Sequence, residues 1–259
     1  MRIVRFKTKL EKAQYGWVYQ DSLGLIQGDP FGEFRRFEPE FKIADLELLV
    51  PCEPSKIIAI GKNYPEHAAE LNSETPQIPM VILKAPSSLI ASGEPIILPP
   101  QSNEVDLEGE LAIVIGKKSR WLMPEEAGKA IFGYTIANDV TARDLQRLDT
   151  QWARSKSFDS FCPVGPWIET EFDPSDAIIT SHINNSLKQM SSTREMVFDP
   201  FQLVLYLSTI MTLNPGDLIL TGTPAGVSPL TDGDTVSIHI DGIGSLINPV
   251  QSEKTFSKD

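Results

Sequence analysis

Alternation of apolar and polar positions dominates the chain, and it predicts strands. RIVRFK and YGWVYQ near the N-terminus repeat at period two, the spacing of a half-buried strand. DSLGLIQGDPFGEF is interrupted by glycine and proline, as turns between short strands are. The pattern changes at Pro51 to Pro54, so residues 1–54 read as a small β-rich domain and 55–259 as the main unit. There SKIIAIG, MVILK, GEPIILPP, GYTIANDV and FCPVGPWIE read as strands, and DLEGELAIVIGKK (106–118) as one long strand. AIITSHINN and SLKQMSS form a strand pair turning at Asn184–Asn185. The C-terminal stretch is short strands separated by glycine turns.

Helices are few. Pro65 suits a first helical turn and Glu66 its positive end, predicting a helix from Pro65 to about Leu71. MPEEAGKAIFGY and TARDLQRLDTQWARSKS hold shorter helical stretches. The clearest helix is DPFQLVLYLSTIMTLNPGD, with Asp199 as N-cap, Pro200 at its first position and Pro215–Gly216 as its end. It is apolar nearly all round, which predicts burial. The fold class expected is mainly β with a few helices, α+β.

Composition narrows the function classes. The 259 residues suffice for a full core, and the formal net charge is −12. That balance argues against nucleic acid and anionic membranes as partners, though local cations can still receive an anionic small molecule. No apolar run approaches the ~18 residues of a spanning helix. The start has no secretory h-region, and Cys52 and Cys162 form no CxxC, so a cytoplasmic protein with buried thiols is expected.

Glu108 and Glu110 lie two apart, so their carboxylates share one face of a strand. Like charges there repel unless a hard divalent cation neutralises them, and Asp139, after GYTIAN, is the natural third ligand. The alternative is an edge strand facing solvent and an aspartate capping a turn. His67 and Glu70 stand at i, i+3 on the short helix, where a carboxylate orients an imidazole as general base. A solvated helix with an incidental charge pair fits the same spacing. Arg143, Lys156, Lys62 and Lys84 are cations able to meet a substrate carboxylate, surface charge being the plain alternative. TGTPAGV (221–227) is glycine-rich without being a P-loop, and it offers the Thr223 hydroxyl. His182 and His239 sit in alternating strands and read as structural or surface residues.

In order, IGKNYPEHAAEL, VILKAPSSL, DLEGELAIVIGK, GYTIANDVTARD, SKSFDSFCPVGPW and GDLILTGTPAGV resemble the fumarylacetoacetate hydrolase family from about residue 56 to 250. The resemblance implies a mixed β-sandwich roll with a metal site inside, preceded by a small N-terminal β unit. It implies magnesium or manganese on Glu108, Glu110 and Asp139, a catalytic dyad of His67 and Glu70 on a lid, and a further catalytic residue, Lys156, near the metal. It implies Arg143 and Thr223 as substrate contacts, and Lys62, Asn63 and Tyr64 are taken with them. Some members carry a fourth acidic ligand near Asn63, which this chain lacks.

The implied substrate is a small anionic 2-oxo acid or its enol, and the implied assembly a homodimer. Carbon–carbon cleavage through a metal-stabilised enolate, as acylpyruvate hydrolysis or oxaloacetate decarboxylation, is favoured. Isomerisation of a 2-hydroxyhepta-2,4-diene-1,7-dioate or keto–enol tautomerisation at the same site is the runner-up. A catalytically silent relative binding metal or dicarboxylate stays open beside both.

Overall fold

The computed structural model describes residues 1–7 and 12–254. The end of the main unit expected from sequence, 255–259, and the segment 8–11 lie outside the described residues. The fold is predominantly β with a few short helices, as the alternation predicts.

The spine is one long mixed sheet. Its order runs Phe34–Lys42, Ser22–Gly28, Gln14–Tyr19, Arg2–Lys7, Cys162–Glu169, Ile131–Asn138, Gly109–Ile115, Leu218–Leu220, Ile57–Gly61, Met80–Lys84. The N-terminal strands join through Arg2–Lys7, which pairs antiparallel with Cys162–Glu169, and the Met1 amine donates to Glu169 Oε1 at 2.7 Å beside that seam. A five-stranded sheet, built on Ile178–Ile183, Thr235–Ile240 and Gly244–Ser252, covers one face.

The central strand Gly109–Ile115 is buried on both faces, as a strand with cover on each side must be. Leu111, Ile113 and Ile115 pack toward the five-stranded sheet with Ile179, Ile238 and Ile240. Ala112 and Val114 pack on the opposite side with Ile57, Ala59, Cys162 and Val164. Both cysteines are free thiols in that second cluster.

The structure corrects four expectations. The stretch 106–118 is two strands, Val105–Leu107 and Gly109–Ile115, with Glu108 at the break. The first pairs with Thr141–Ala142 and Ser228–Pro229, the second with the spine, so the chain changes partners at Glu108. The long helix is Pro200–Ile210 and stops short of Pro215. Leu213 is needed beyond it, exchanging backbone hydrogen bonds with Ser119. Asp199 caps it through a capping box as expected, but Phe201 and Ile210 are exposed, so only the face carrying Leu203, Val204 and Leu207 is buried. SLGLIQG is one continuous strand, and FRRFEPEFK is a further one that tolerates Pro39 because it lies at the sheet edge. Asn184 and Asn185 both have positive φ, as a two-residue hairpin turn of the I′ kind requires.

Candidate active site

Register brings the acidic residues together. Gly109 pairs with Asn138 in the antiparallel spine, so Glu108 and Asp139 are the next cross-strand neighbours, and the Asp139 N–H donates to the Glu108 carbonyl at 2.8 Å. Glu110 lies two residues on, toward the same side. One carboxylate oxygen from each of Glu108, Glu110 and Asp139 lies within 4.8 Å of the others, and all three residues are buried. Gly109 between the glutamates has a packing cause. A Cβ there would sit 2.2 Å from Ser181 Oγ of the covering sheet.

Cations answer two of the three charges. Lys156 Nζ donates to Asp139 Oδ2 at 2.5 Å, Glu108 Oε2 at 3.0 Å and Thr141 Oγ1 at 2.8 Å. Lys84 Nζ, at the end of the edge strand, donates to Asp139 Oδ1 at 2.5 Å and to the Phe161 carbonyl at 3.0 Å. Arg143 Nη2 donates to Glu108 Oε1 at 2.6 Å. Burial pushes the Glu108 carboxyl up, but the Lys156 and Arg143 charges outweigh it and hold the group well below the usual carboxylate range. Burial opposes the Lys156 ammonium in the same way, and the Asp139 and Glu108 charges overcome it and raise its pKa.

Glu110 differs. It makes no ion pair among the described residues and accepts only the Gly222 N–H, at 2.6 Å. Burial, then the Asp139 and Glu108 charges, push its carboxyl well above the ordinary range. A buried carboxylate that lacks a cation, between two others, fits a divalent ion, and an all-oxygen donor set suits a hard one.

His67 is 4% exposed and lines the chamber with the three acids. Its Nδ1 lies 3.1 Å from Glu70 Oε2, and Glu70 Oε1 accepts the Gly226 N–H at 3.0 Å. The glycine-rich loop thus pins the carboxylate that orients the imidazole. Lys62, Arg143, Lys156 and Thr223 also reach the chamber wall.

Several expected substrate contacts are engaged by the surrounding scaffold. Asn63 is fully buried and does not line the chamber; its side chain donates to the Phe198 and Thr221 carbonyls and accepts the Phe198 N–H. It holds the strand-to-helix junction against Gly222, where a Cβ would sit 2.7 Å from Asn63 Cβ. Tyr64 is buried outside the chamber wall, and its hydroxyl makes no hydrogen bond among the described residues. The Thr223 hydroxyl donates to the Gly109 carbonyl at 2.9 Å and accepts from Gln189 Nε2 at 2.7 Å, leaving no proton for a ligand. Arg143 gives three of its five N–H donors to Asp106, Glu108 and Gln146. The three Lys156 donors are all engaged.

Asp106 and Gln189, which the sequence patterns do not single out, are built into the same network, Gln189 also accepting the Gly109 N–H. Their partners are distant in sequence, and periodicity carries no sign of them. Lys84 had one: a lysine closing an apolar strand. His239 is exposed, beside Ser245 and Asp241 on the five-stranded sheet.

Sandwich and chamber together define an enzyme-like pocket in which three carboxylates face a carboxylate-held histidine. Residues 56–251 match the model of the fumarylacetoacetate (FAA) hydrolase C-terminal domain, and residues 1–51 the Rv2993c-like N-terminal model. The chain belongs to the fumarylacetoacetate hydrolase family. It is 43% identical over 220 residues to the mitochondrial oxaloacetate tautomerase fahd2 of Xenopus laevis, covering 80% of this chain and 69% of that one. The crystal structure of 2-hydroxyhepta-2,4-diene-1,7-dioate isomerase from Mycobacterium marinum superposes with a TM-score of 0.90 at 42% identity, covering 98% of this chain and 100% of the other. Maleylpyruvate hydrolase from Sphingobium sp. SYK-6, in complex with manganese(II) ion and pyruvate, gives 0.80 at 32% identity with the same coverage, 98% and 100%. No described helix is long and apolar enough to cross a membrane.

Proposed function

We propose that the chain binds a small anionic 2-oxo acid beside a divalent ion, magnesium or manganese, and moves a proton at the carbon next to the 2-oxo group, interconverting keto and enol forms. His67 carries this reading. It is buried, it lines the carboxylate chamber, and its Nδ1 is held by a carboxylate that a backbone amide holds in turn. Glu108, Glu110 and Asp139 would hold the ion. Bound there, it supplies a Lewis acid that favours negative charge on the 2-oxo oxygen.

Glu70 at Nδ1 leaves Nε2 as the working nitrogen of His67. That nitrogen takes the proton from C3 of the keto acid, breaking the C3–H bond, and returns it to the 2-oxo oxygen. No co-reactant is needed. Lys156 and Arg143 act as positioning residues that keep Glu108 ionised, and Lys84 and Lys156 hold the Asp139 carboxylate in place.

The sequence alone puts carbon–carbon cleavage first. Relatives named for tautomerisation and isomerisation, at 43% and 42% identity, support the reverse order. Hydrolytic cleavage remains the second reading, favoured by the hydrolase neighbour; His67 would then take a proton from water. The test follows oxaloacetate enol absorbance and pyruvate release from acetylpyruvate, each with magnesium and with EDTA. Metal-dependent enol loss without pyruvate supports tautomerisation, and pyruvate release supports hydrolysis. No metal-dependent change in either assay overturns both.

A further inference from the structure

The covering sheet reaches the framework of the chamber through a buried amide. The strand Ser186–Ser192 is the outermost of the five-stranded sheet, and Ser186, Leu187 and Lys188 on it are exposed. Gln189, next along it, is fully buried. An apolar residue would fill such a place without losing hydration, so a glutamine there has to be held by its hydrogen bonds. Its Oε1 accepts the Gly109 N–H at 3.0 Å, and its Nε2 donates to Thr223 Oγ1 at 2.7 Å and to the Pro224 carbonyl at 2.8 Å. The Thr223 hydroxyl closes the ring by donating to the Gly109 carbonyl.

This ring stands where a strand has run out. Leu218–Leu220 pairs with Gly109–Ile115 only as far as Ala112, and the Thr221 N–H then donates to the Leu111 carbonyl. Past that point the Gln189 and Thr223 side chains take the place of a strand partner, binding the N–H and the carbonyl of Gly109. Gly109 is the residue between Glu108 and Glu110. From the same loop the Gly222 N–H reaches Glu110 and the Gly226 N–H reaches Glu70. A Cβ on Gly226 would sit 2.0 Å from the Lys188 carbonyl, so the loop lies hard against the strand that carries Gln189. One clasp thus ties a carboxylate of the chamber to the carboxylate that orients His67.

We infer that Gln189 is a positioning residue for the proton transfer, fastening the glycine-rich loop to the strand between the two glutamates so that Glu70 and Glu110 keep their mutual placement. This rests on the reaction proposed above and adds to it a residue outside the chamber wall.

The test measures keto–enol conversion of oxaloacetate by the magnesium-loaded full chain, beside amide hydrogen exchange. In Gln189→Met, kcat falls about 10²-fold, the effect of displacing a reacting group by about 1 Å, and KM changes little. Exchange at the Gly222 and Gly226 amides quickens about tenfold, the worth of one hydrogen bond, while amides of the helix Pro200–Ile210 keep their rates. With Glu70→Gln added, the combined loss of kcat is smaller than the product of the single losses, because both act through His67. Thr223→Val keeps the side-chain shape and removes the hydroxyl of the ring; it reproduces part of the kcat loss, and Thr223→Ser does not. That pair reads out the clasp even where Gln189→Met does not fold. Losses that multiply, unchanged loop exchange in a folded Gln189→Met, or a Thr223→Val that raises KM and spares kcat overturns the assignment. A wild type that leaves oxaloacetate unconverted overturns the proposed reaction; loop exchange then decides the clasp by itself, quickened exchange upholding it and unchanged exchange overturning it.

Discussion

Glu110→Gln isolates the one charge in the chamber that the chain leaves unanswered. Glutamine keeps the side-chain volume and an acceptor for the Gly222 N–H, now 2.6 Å from Glu110 Oε2. It removes the carboxylate that makes no ion pair among the described residues, whereas Glu108 and Asp139 each face two cations. A buried group lacking its partner costs about 1–3 kcal/mol, more when charged. Ion-free Glu110→Gln is therefore expected to be more stable than the ion-free wild type. At roughly 2–4 °C per kcal/mol for chains near this size, Tm should rise by a few degrees or more.

With a divalent ion at a hundred times its Kd, binding to the native state adds about 2.7 kcal/mol to the wild type, or roughly 5–10 °C. The variant loses most of that increment, because a neutral amide is a poorer ligand for a hard cation. The stability order should thus invert: variant above wild type in EDTA, wild type above variant in magnesium or manganese. Thermal denaturation under the two conditions measures it. Equal ion-induced shifts in both proteins, or no shift in either, would refute the reasoning that the three carboxylates form an ion site.

Other outcomes follow from the same geometry. His67→Ala should lose about 10²–10⁴-fold in turnover, the usual worth of a positioned proton-transfer group, yet keep the ion-induced Tm shift; a variant with full turnover removes the dyad from the mechanism. Glu70→Gln should lose less, since it orients the imidazole without replacing it, and steady-state kinetics rank the two. Gly109→Ala should destabilise by about 1–3 kcal/mol in urea denaturation, because its Cβ would stand 2.2 Å from Ser181 Oγ; adding Ser181→Gly should recover part of the loss, and simple additivity would show that the clash is not the cause. Asn185→Val should cost about 1–2 kcal/mol, since a β-branched side chain is forced to φ +65° in the hairpin turn.

Spacing within single segments makes part of the site legible in the amino-acid sequence. Glu108 and Glu110 share a face because strand side chains repeat every two residues, and His67 meets Glu70 because three helical residues make nearly a turn. Asp139 is legible as a polar end to an apolar strand. The errors fall where the partner lies far along the chain. Asn63 looks like a pocket residue beside Lys62, yet its amide groups are consumed by Thr221 and Phe198. Thr223 in a glycine-rich loop looks free, yet Gln189 and Gly109 hold its hydroxyl.

Local pattern alone determined the strand-rich class, the asparagine hairpin, the Asp199 cap and the pairing of ligand types, because propensity and periodicity act over a few residues. Tertiary structure decided the rest. Only the register of Gly109–Ile115 against Ile131–Asn138 sets Asp139 opposite Glu108. Only the edge strand and the short helix Ala153–Lys156 bring Lys84 and Lys156 onto the same carboxylate. Burial then makes charge balance decisive, since in a dry interior an unanswered carboxylate is costly and an answered one is held ionised. Which acid stays short of a cation is therefore a property of the packed chamber, and from it follows the place for the ion.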